Sequence, residues 1–354
     1  MTIRRLPDSV LTLYAELLDL SQQAEAERLA QGLPVGGFVS KEIRGNRYWY
    51  LQTKLGGASH QRYLGPETSA LRQWMGRMTE GRVQARADEV VRSRLSKMLL
   101  EGGAFRETAA VVRVLELLAD LGVFRRGGVL VGTHAVGVTA NLLGVSLDHQ
   151  ALRTQDVDIL HDRSVAIALA AEPGVEIGQA LAHAEPGFLP VPQLDPRQPS
   201  TSFKVRGREL RVDFLTPARS SKDHKPVYVP GLGVAAQPLP FLEYLAEEPV
   251  QALVVGRSSV LVRVPAPARL AFHKLWTARE RPAAEQTRAR KDRLQATALL
   301  EVLLEERPDD LRDAWEALAG RRKPRRVVES EIERLPAELG ARLRTLLLST
   351  TDEM

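Results

Sequence analysis

Residues 128–160 read GVLVGTHAVGVTANLLGVSLDHQALRTQDVDIL. The stretch opens as an apolar strand, Val129-Leu130-Val131, and turns at Gly132-Thr133. A helix-like run from His134 to Leu143 follows. It closes on Gln155-Asp156-Val157-Asp158-Ile159-Leu160, where carboxylates alternate with apolar side chains. Side chains two apart in a strand share a face. Asp156 and Asp158 are therefore expected to project together, with Val157 and Ile159 holding the strand in a core. Two carboxylates on one face repel unless a cation lies between them. Hard cations such as Mg2+ take such oxygen ligands and add substrate phosphates to their shell.

The totals set bounds on this reading. At 354 residues the chain is long enough for two or three domains with their own cores. Apolar content of 44% and charged content of 26% fit a globular protein. The absence of cysteine rules out disulfides, thiolate metal sites and a cysteine nucleophile, and fits a reducing cytoplasm. The opening MTIRRLPDSVLTLYAELL lacks the apolar core and cleavage site of a signal peptide, and no run is long enough to span a bilayer, so no membrane role is expected. A net charge of +5 permits a polyanionic partner such as RNA or DNA, and equally fits an Arg-rich bacterial composition.

Outward from the central stretch, the N-terminal part reads as a helix over residues 7–31, then a small antiparallel sheet over 38–66 punctuated by Gly45 and Gly56-Gly57. Arg44, Arg47 and Arg62, interleaved with Tyr48 and Trp49, suit phosphate contact plus base stacking. The same aromatics suit a structural hairpin module packed on its own helix. Residues 67–122 read as helical with a break at Gly102-Gly103, the second helix running from Ala104 to Leu121. Beyond Leu160, a short helix is expected over Ser164–Ala171, and a Pro- and Gly-rich loop over 172–200 with a strand near Phe188–Val191. Hairpins are expected at 202–215 and 252–264, a short helix over Leu239–Ala246, and a helix over Ala268–Glu280. The remainder reads as helical, broken by the basic run 321–326. Asp213 sits inside the apolar strand Val212-Asp213-Phe214-Leu215, where a lone acid is costly without a partner.

A small-residue turn feeding a helix, then Asp-x-Asp on a strand, then a third acid on a later strand resembles the nucleotidyltransferase superfamily, of polymerase-beta-like fold. The resemblance implies that Asp156, Asp158 and Asp213 are catalytic and hold divalent metal, Mg2+ or Mn2+. It implies that Gly132 and Thr133 seat the triphosphate of an NTP. The Val131-Gly132-Thr133-His134-Ala135 turn, His273-Lys274-Leu275 and the Lys291-Asp292 pair resemble a bacterial nucleotidyltransferase-like branch and, more distantly, abortive-infection toxin nucleotidyltransferases. By that likeness Lys274 and Lys291 face the triphosphate or fix the core; a solvated basic helix face is the plain alternative. His134 follows the turn, where it could contact substrate; the plainer expectation is a histidine packed near the helix start, and His161 and His183 have no partner at metal-ligand spacing. Between Thr133 and Asp156 lie 22 residues, more than minimal superfamily members carry, so Gly144 to Arg153 is expected to be a loop beside the site.

The fold expected is α+β: a nucleotidyltransferase-type mixed sheet core with flanking helices over residues 104–235, an N-terminal helical and small-sheet module over 1–103, and a β-hairpin plus C-terminal helical domain over 236–354. The expected function is metal-dependent transfer of NMP from an NTP to an acceptor hydroxyl on RNA, protein or a small molecule. A toxin or phage-defence role, with a cognate antitoxin as partner, shares that chemistry. The alternative from another class is a catalytically silent nucleic-acid-binding protein that uses the basic, aromatic N-terminal sheet.

Overall fold

The computed structural model describes residues 2–30, 36–55, 58–147, 152, 154–162, 177–183, 187–220 and 222–348. The chain opens with β1 (Ile3–Arg5) and α1 (Asp8–Ala30), then a meander of β2 (Gly37–Ile43), β3 (Asn46–Leu55) and β4 (Ala58–Pro66). Helices α2 (Ser69–Glu101) and α3 (Ala109–Asp120) lead into β5 (Gly128–Val131), α4 (Gly132–Leu142), β6 (Val145–Leu147) and β7 (Asp156–His161). Next come α5 (Ile177–His183), β8 (Phe188–Pro190), β9 (Ser202–Val205), β10 (Arg211–Pro217), β11 (Val227–Val229) and β12 (Val234–Leu239). A short α6 (Glu243–Ala246) precedes the hairpin β13 (Val250–Val255) and β14 (Ser259–Val264). The chain finishes with α7 (Pro267–Glu280), α8 (Gln286–Glu306), α9 (Pro308–Glu316), α10 (Arg322–Ile332) and α11 (Ala337–Leu348). This is the expected α+β architecture, a mixed sheet with flanking helices. Among the described residues no helix is long and apolar enough to cross a membrane.

The central sheet runs β11-β12-β10-β7-β5. Strand β7 pairs parallel with β10 and antiparallel with β5. The other edge of β10 is shared, with β9 against residues 211–213 and β12 against residues 215–217. Strict alternation builds this sheet. Val157, Ile159, Val212 and Phe214 face the main core with α3 and α4, while Val129, Val131, Leu160 and Leu215 face a smaller cluster with Leu242 and Leu245. Asp156, Asp158 and Asp213 share the parity of Leu160 and Leu215, so they project on the second face.

Several local expectations shift. The second helix of the 67–122 region begins at Ala109, not Ala104. Residues 104–108 stay out of the helix because the Asn141 side chain grips both backbone groups of Phe105, accepting from its N–H (2.7 Å) and donating to its carbonyl (3.0 Å). The N–H of Glu107 donates to the Val255 carbonyl, and the Thr108 hydroxyl then caps α3. The stretch after Gly144, expected as loop, contains a strand: Val145–Leu147 pairs antiparallel with Ile3–Arg5. This ties the first residues of the chain to the far side of the boundary expected at 103, and β12 likewise spans the one expected at 235. Residues 148–151 and 153, the expected helix over 164–171 and the Gly56-Gly57 turn lie outside the described residues. Within the expected 172–200 loop, Ile177–His183 is helical because Ile177 and Leu181 are buried one turn apart. Leu239 ends a strand, not a helix, since residues 237–239 pair with β10. The basic run 321–326 opens α10 rather than breaking a helix, with Pro324 tolerated in its first turn.

The Asn141 clamp predicts a stability effect. Asn141→Ala leaves two buried backbone groups of Phe105 without partners. It is expected to lower unfolding free energy by about 2–4 kcal/mol. Urea denaturation with unchanged m-value checks this, and a loss below about 0.5 kcal/mol would show that the groups find other partners.

Candidate active site

The first strand of the site ends where glycine is required. Gly132 has φ +73, and any Cβ there would overlap the Asp158 carboxylate. The carboxylate thus lies directly against the backbone that opens α4, an approach only glycine allows. Val131 caps that helix without a side-chain hydrogen bond. The helix N-terminus therefore offers backbone N–H groups and the positive end of its dipole beside the acid strand.

Register brings the three aspartates together. Asp158 lies opposite Val131 on one side and opposite Asp213 on the other; Asp156 lies opposite Arg211. Neighbouring strands are about 4.8 Å apart, so Asp158 and Asp213 are crowded like charges. The Asp158 carboxyl is pushed up to about 7, by burial first and by Asp213 next, with Asp156 adding to the push and His134 and Lys274 opposing it. Asp213 is held by its own neighbours. Its Oδ1 accepts from the Ser202 hydroxyl and from Arg211 Nε (2.7 Å). Arg211 Nη2 also donates to Ser202 Oγ (2.8 Å), which closes a small network. Among the described residues no three acidic or imidazole groups converge closely enough to form a ready metal cage. The donor set suits a hard cation all the same: it is oxygen-only, anionic and mutually repelling. Both bonds to Asp213 fall on its Oδ1, so the carboxylate can join such a set through Oδ2 while Ser202 and Arg211 hold it.

Helices α7 and α8 bring the downstream lysines to this face. Lys274 is buried, and its Nζ donates to Asp292 Oδ1 (2.8 Å). Asp292 Oδ2 accepts from Arg281 Nε (2.6 Å). Burial alone would raise the Asp292 pKa, but Lys274 and Arg281 together hold it below the usual carboxylate range. The field of Lys274 reaches Asp158, and that of Asp156 reaches Lys291. Lys291 is lowered, by burial first and by Lys274 next. Lys274 thus has a definite bonding role in the core and still stands near the acids. Its neighbour His273 is pushed down to about 3, chiefly by burial, and stacks on Phe241 (5.4 Å). It is a neutral core residue.

Sequence reasoning missed Glu107. This buried acid accepts from His134 Nδ1–H (2.6 Å), and both side chains are almost wholly enclosed. The pair braces the first turn of α4 directly behind Gly132-Thr133, so His134 packs near the helix start as expected. Nothing in the local sequence marks Glu107, because its partner lies 27 residues away. Arg211 was more accessible: it sits two residues before Asp213 and so on its face. His161 Nε2–H donates to the Arg126 carbonyl (2.8 Å), and His183 Nδ1–H to the Gln179 carbonyl (2.7 Å), so each has a structural partner.

The basic, aromatic candidates of the N-terminal sheet divide between its faces. Trp49 is half-buried toward α2 and donates through Nε1 to Glu67 (3.1 Å), which also pairs with Arg47 (3.5 Å). Tyr48 lies on the opposite face; Arg44 and Arg62 are exposed. A cleft of about 620 Å³ between α1, α2, α3 and the β13–β14 hairpin is lined by Arg92, Arg125 and Arg263 among others, but by none of the three aspartates.

The Lys274–Asp292–Arg281 network yields a prediction. Asp292→Ala leaves two cations without their shared counter-charge, and is expected to cost about 3–5 kcal/mol in urea unfolding near neutral pH. The Asp292 pKa is depressed on folding. Its stabilising contribution is therefore complete above the unperturbed value of 3.8 and is lost as pH falls through the lower folded value. A variant as stable as the parent at neutral pH would contradict the network.

No curated protein and no solved structure matches the chain. A family model described as Nucleotidyltransferase matches residues 109–320, from the first residue of α3 to the end of the turn after α9, and so spans every element that carries the aspartates and lysines above. The chain therefore belongs to this nucleotidyltransferase family.

Proposed function

We propose that the protein transfers a nucleoside monophosphate from an NTP to an acceptor hydroxyl, with release of pyrophosphate, at the face shared by β5, β7 and β10. The observation that carries this is the placement of Asp158 against both Asp213 and the Gly132 backbone. It joins an anion-seating helix start to a carboxylate cluster that demands positive charge. In this reading Asp156 and Asp158 hold Mg2+ or Mn2+, and Asp213 completes the set. The bound cation would neutralise triphosphate charge and lower the pKa of the attacking hydroxyl. The chain does the rest. The N–H groups of Gly132 and Thr133, at the start of α4, hold phosphate oxygens. Lys274 and Lys291 add positive field from α7 and α8. Ser202 and Arg211 orient the Asp213 carboxylate, which accepts a hydrogen bond from the acceptor hydroxyl.

The test is a transfer assay with each of four labelled NTPs, Mg2+ or Mn2+, and total RNA or protein as acceptor. Asp156→Ala and Asp158→Ala are expected to lower transfer by about 100-fold or more while leaving the fold intact. Unchanged turnover in either variant would contradict the assignment.

A second expectation concerns pH. The Asp158 carboxyl rises from 3.8 in an unperturbed aspartate to about 7. The folded state thus binds more protons than the unfolded chain between these values, and this group's contribution falls as pH rises through that window. A cation that replaces the proton restores it. Mg2+ at about 5 mM is expected to raise Tm more at about pH 8 than at about pH 5.5, and Asp158→Asn to abolish the difference. An equal shift at both pH values would place the cation elsewhere.

A further inference from the structure

The three-stranded N-terminal sheet has two unlike faces. The face toward α2 is packed: Leu51 and Met75 are buried, and Phe38 meets Trp74 edge-on (5.5 Å). The other face is partly exposed. Register places Lys41 opposite Tyr48 and Tyr50 opposite Tyr63. Tyr63 stands 5.4 Å from Tyr50 and 6.3 Å from Tyr48, centroid to centroid. Lys41 Nζ lies 4.8 Å over the Tyr50 ring. Tyr63 is 54% exposed, and Ile43 beside this ladder is 47% exposed.

Charge points to the occupant. Residues 37–66 hold five lysines and arginines (Lys41, Arg44, Arg47, Lys54 and Arg62) against a single acid, Glu42. Glu67, just beyond, takes Arg47 and Arg72. No ion pair among the described residues engages Arg44 or Arg62. Tyrosine rings that are exposed at Tyr63 and half-buried at Tyr48 and Tyr50, with Lys41 among them and Arg44 at the adjoining turn, offer flat stacking surfaces and phosphate contacts together. Position adds to this. Helix α2 meets the sheet near Trp74 and Met75 and joins the core through Leu95 and Leu99. The twenty residues from Met75 to Leu95 span roughly 30 Å of helix. The face therefore lies well along α2 from the point where that helix joins the core, a placement suited to a polymer rather than a small molecule.

We propose that the Tyr48–Tyr50–Tyr63 face with Lys41 and Arg44 binds a single-stranded polynucleotide. Unstacked bases lie on the tyrosine rings and the backbone follows the cations. Resting on the transferase reading, this strand is the acceptor whose end is presented to the aspartates. Binding itself needs neither NTP nor metal, so its test stands apart from that reading.

The experiment is fluorescence anisotropy on the full chain, without NTP or divalent ion, using labelled 20-nucleotide single-stranded RNA, the same sequence as single-stranded DNA, the duplex, and polyglutamate of matched charge. Single strands of either sugar are expected to bind, with affinity falling as salt rises. Tyr63→Ala and Tyr50→Ala are each expected to weaken binding about 10-fold, with circular dichroism and Tm unchanged for the exposed Tyr63. Lys41→Ala with Arg44→Ala is expected to flatten the salt dependence. Asp156→Ala is expected to bind as the parent does, so loss of transfer with intact binding separates the two readings. The proposal is overturned by absence of binding, by duplex or polyglutamate binding as tight as single strand, or by Tyr63→Ala binding that equals the parent.

Discussion

The repulsion between Asp158 and Asp213 is the constraint on which the rest of the site depends. Parallel pairing of β7 with β10 sets the two residues side by side, and their partial burial thins the water that would screen them. A fold selected for stability alone would place an apolar pair there, as it does one residue away with Val157 and Val212. Several neighbouring features then read as responses to that charge. Gly132 lets backbone dipoles approach, Lys274 contributes field from α7, and Arg211 with Ser202 restrains one of the two carboxylates.

The supports behind the site are as specific as the site. Helix α4 is buried along nearly its whole length, so its start is positioned by packing on every side. The Glu107–His134 pair and the Asn141 clamp on Phe105 both fasten it to the link before α3. That link in turn bonds to β13 through Glu107 and Val255. The β1–β6 pairing then ties residues 3–5 to the end of the same segment. The N-terminal part therefore buttresses the core from behind, while its sheet, at the other end of α2, presents a separate surface.

Much of the centre could be read without coordinates, because it rests on short-range physics. Period-two alternation placed Asp156 with Asp158 and Val157 with Ile159, and an apolar strand ending on Gly132 announced the turn. The third acid, Asp213, stood out because charge inside an apolar strand requires a partner. What stayed hidden depended on distant chain segments. Glu107 gives no local sign of its tie to His134. Ile3–Arg5 is too short to show a period, and its partner lies more than a hundred residues away. Helix propensity over 104–108 was overruled by a single asparagine side chain from α4. In the N-terminal sheet, alternation separates Trp49 from Tyr48 and Tyr50, but only the packing of α2 decides which set faces outward.

The most direct test is a crystal structure of the protein with Mn2+ and a non-hydrolysable NTP analogue, read by anomalous difference density. The account predicts manganese against Asp156 and Asp158, with the triphosphate at the start of α4 beside Gly132 and Thr133. Manganese or triphosphate bound elsewhere, as in the cleft between α2 and the β13–β14 hairpin, with the aspartates unengaged, would contradict it.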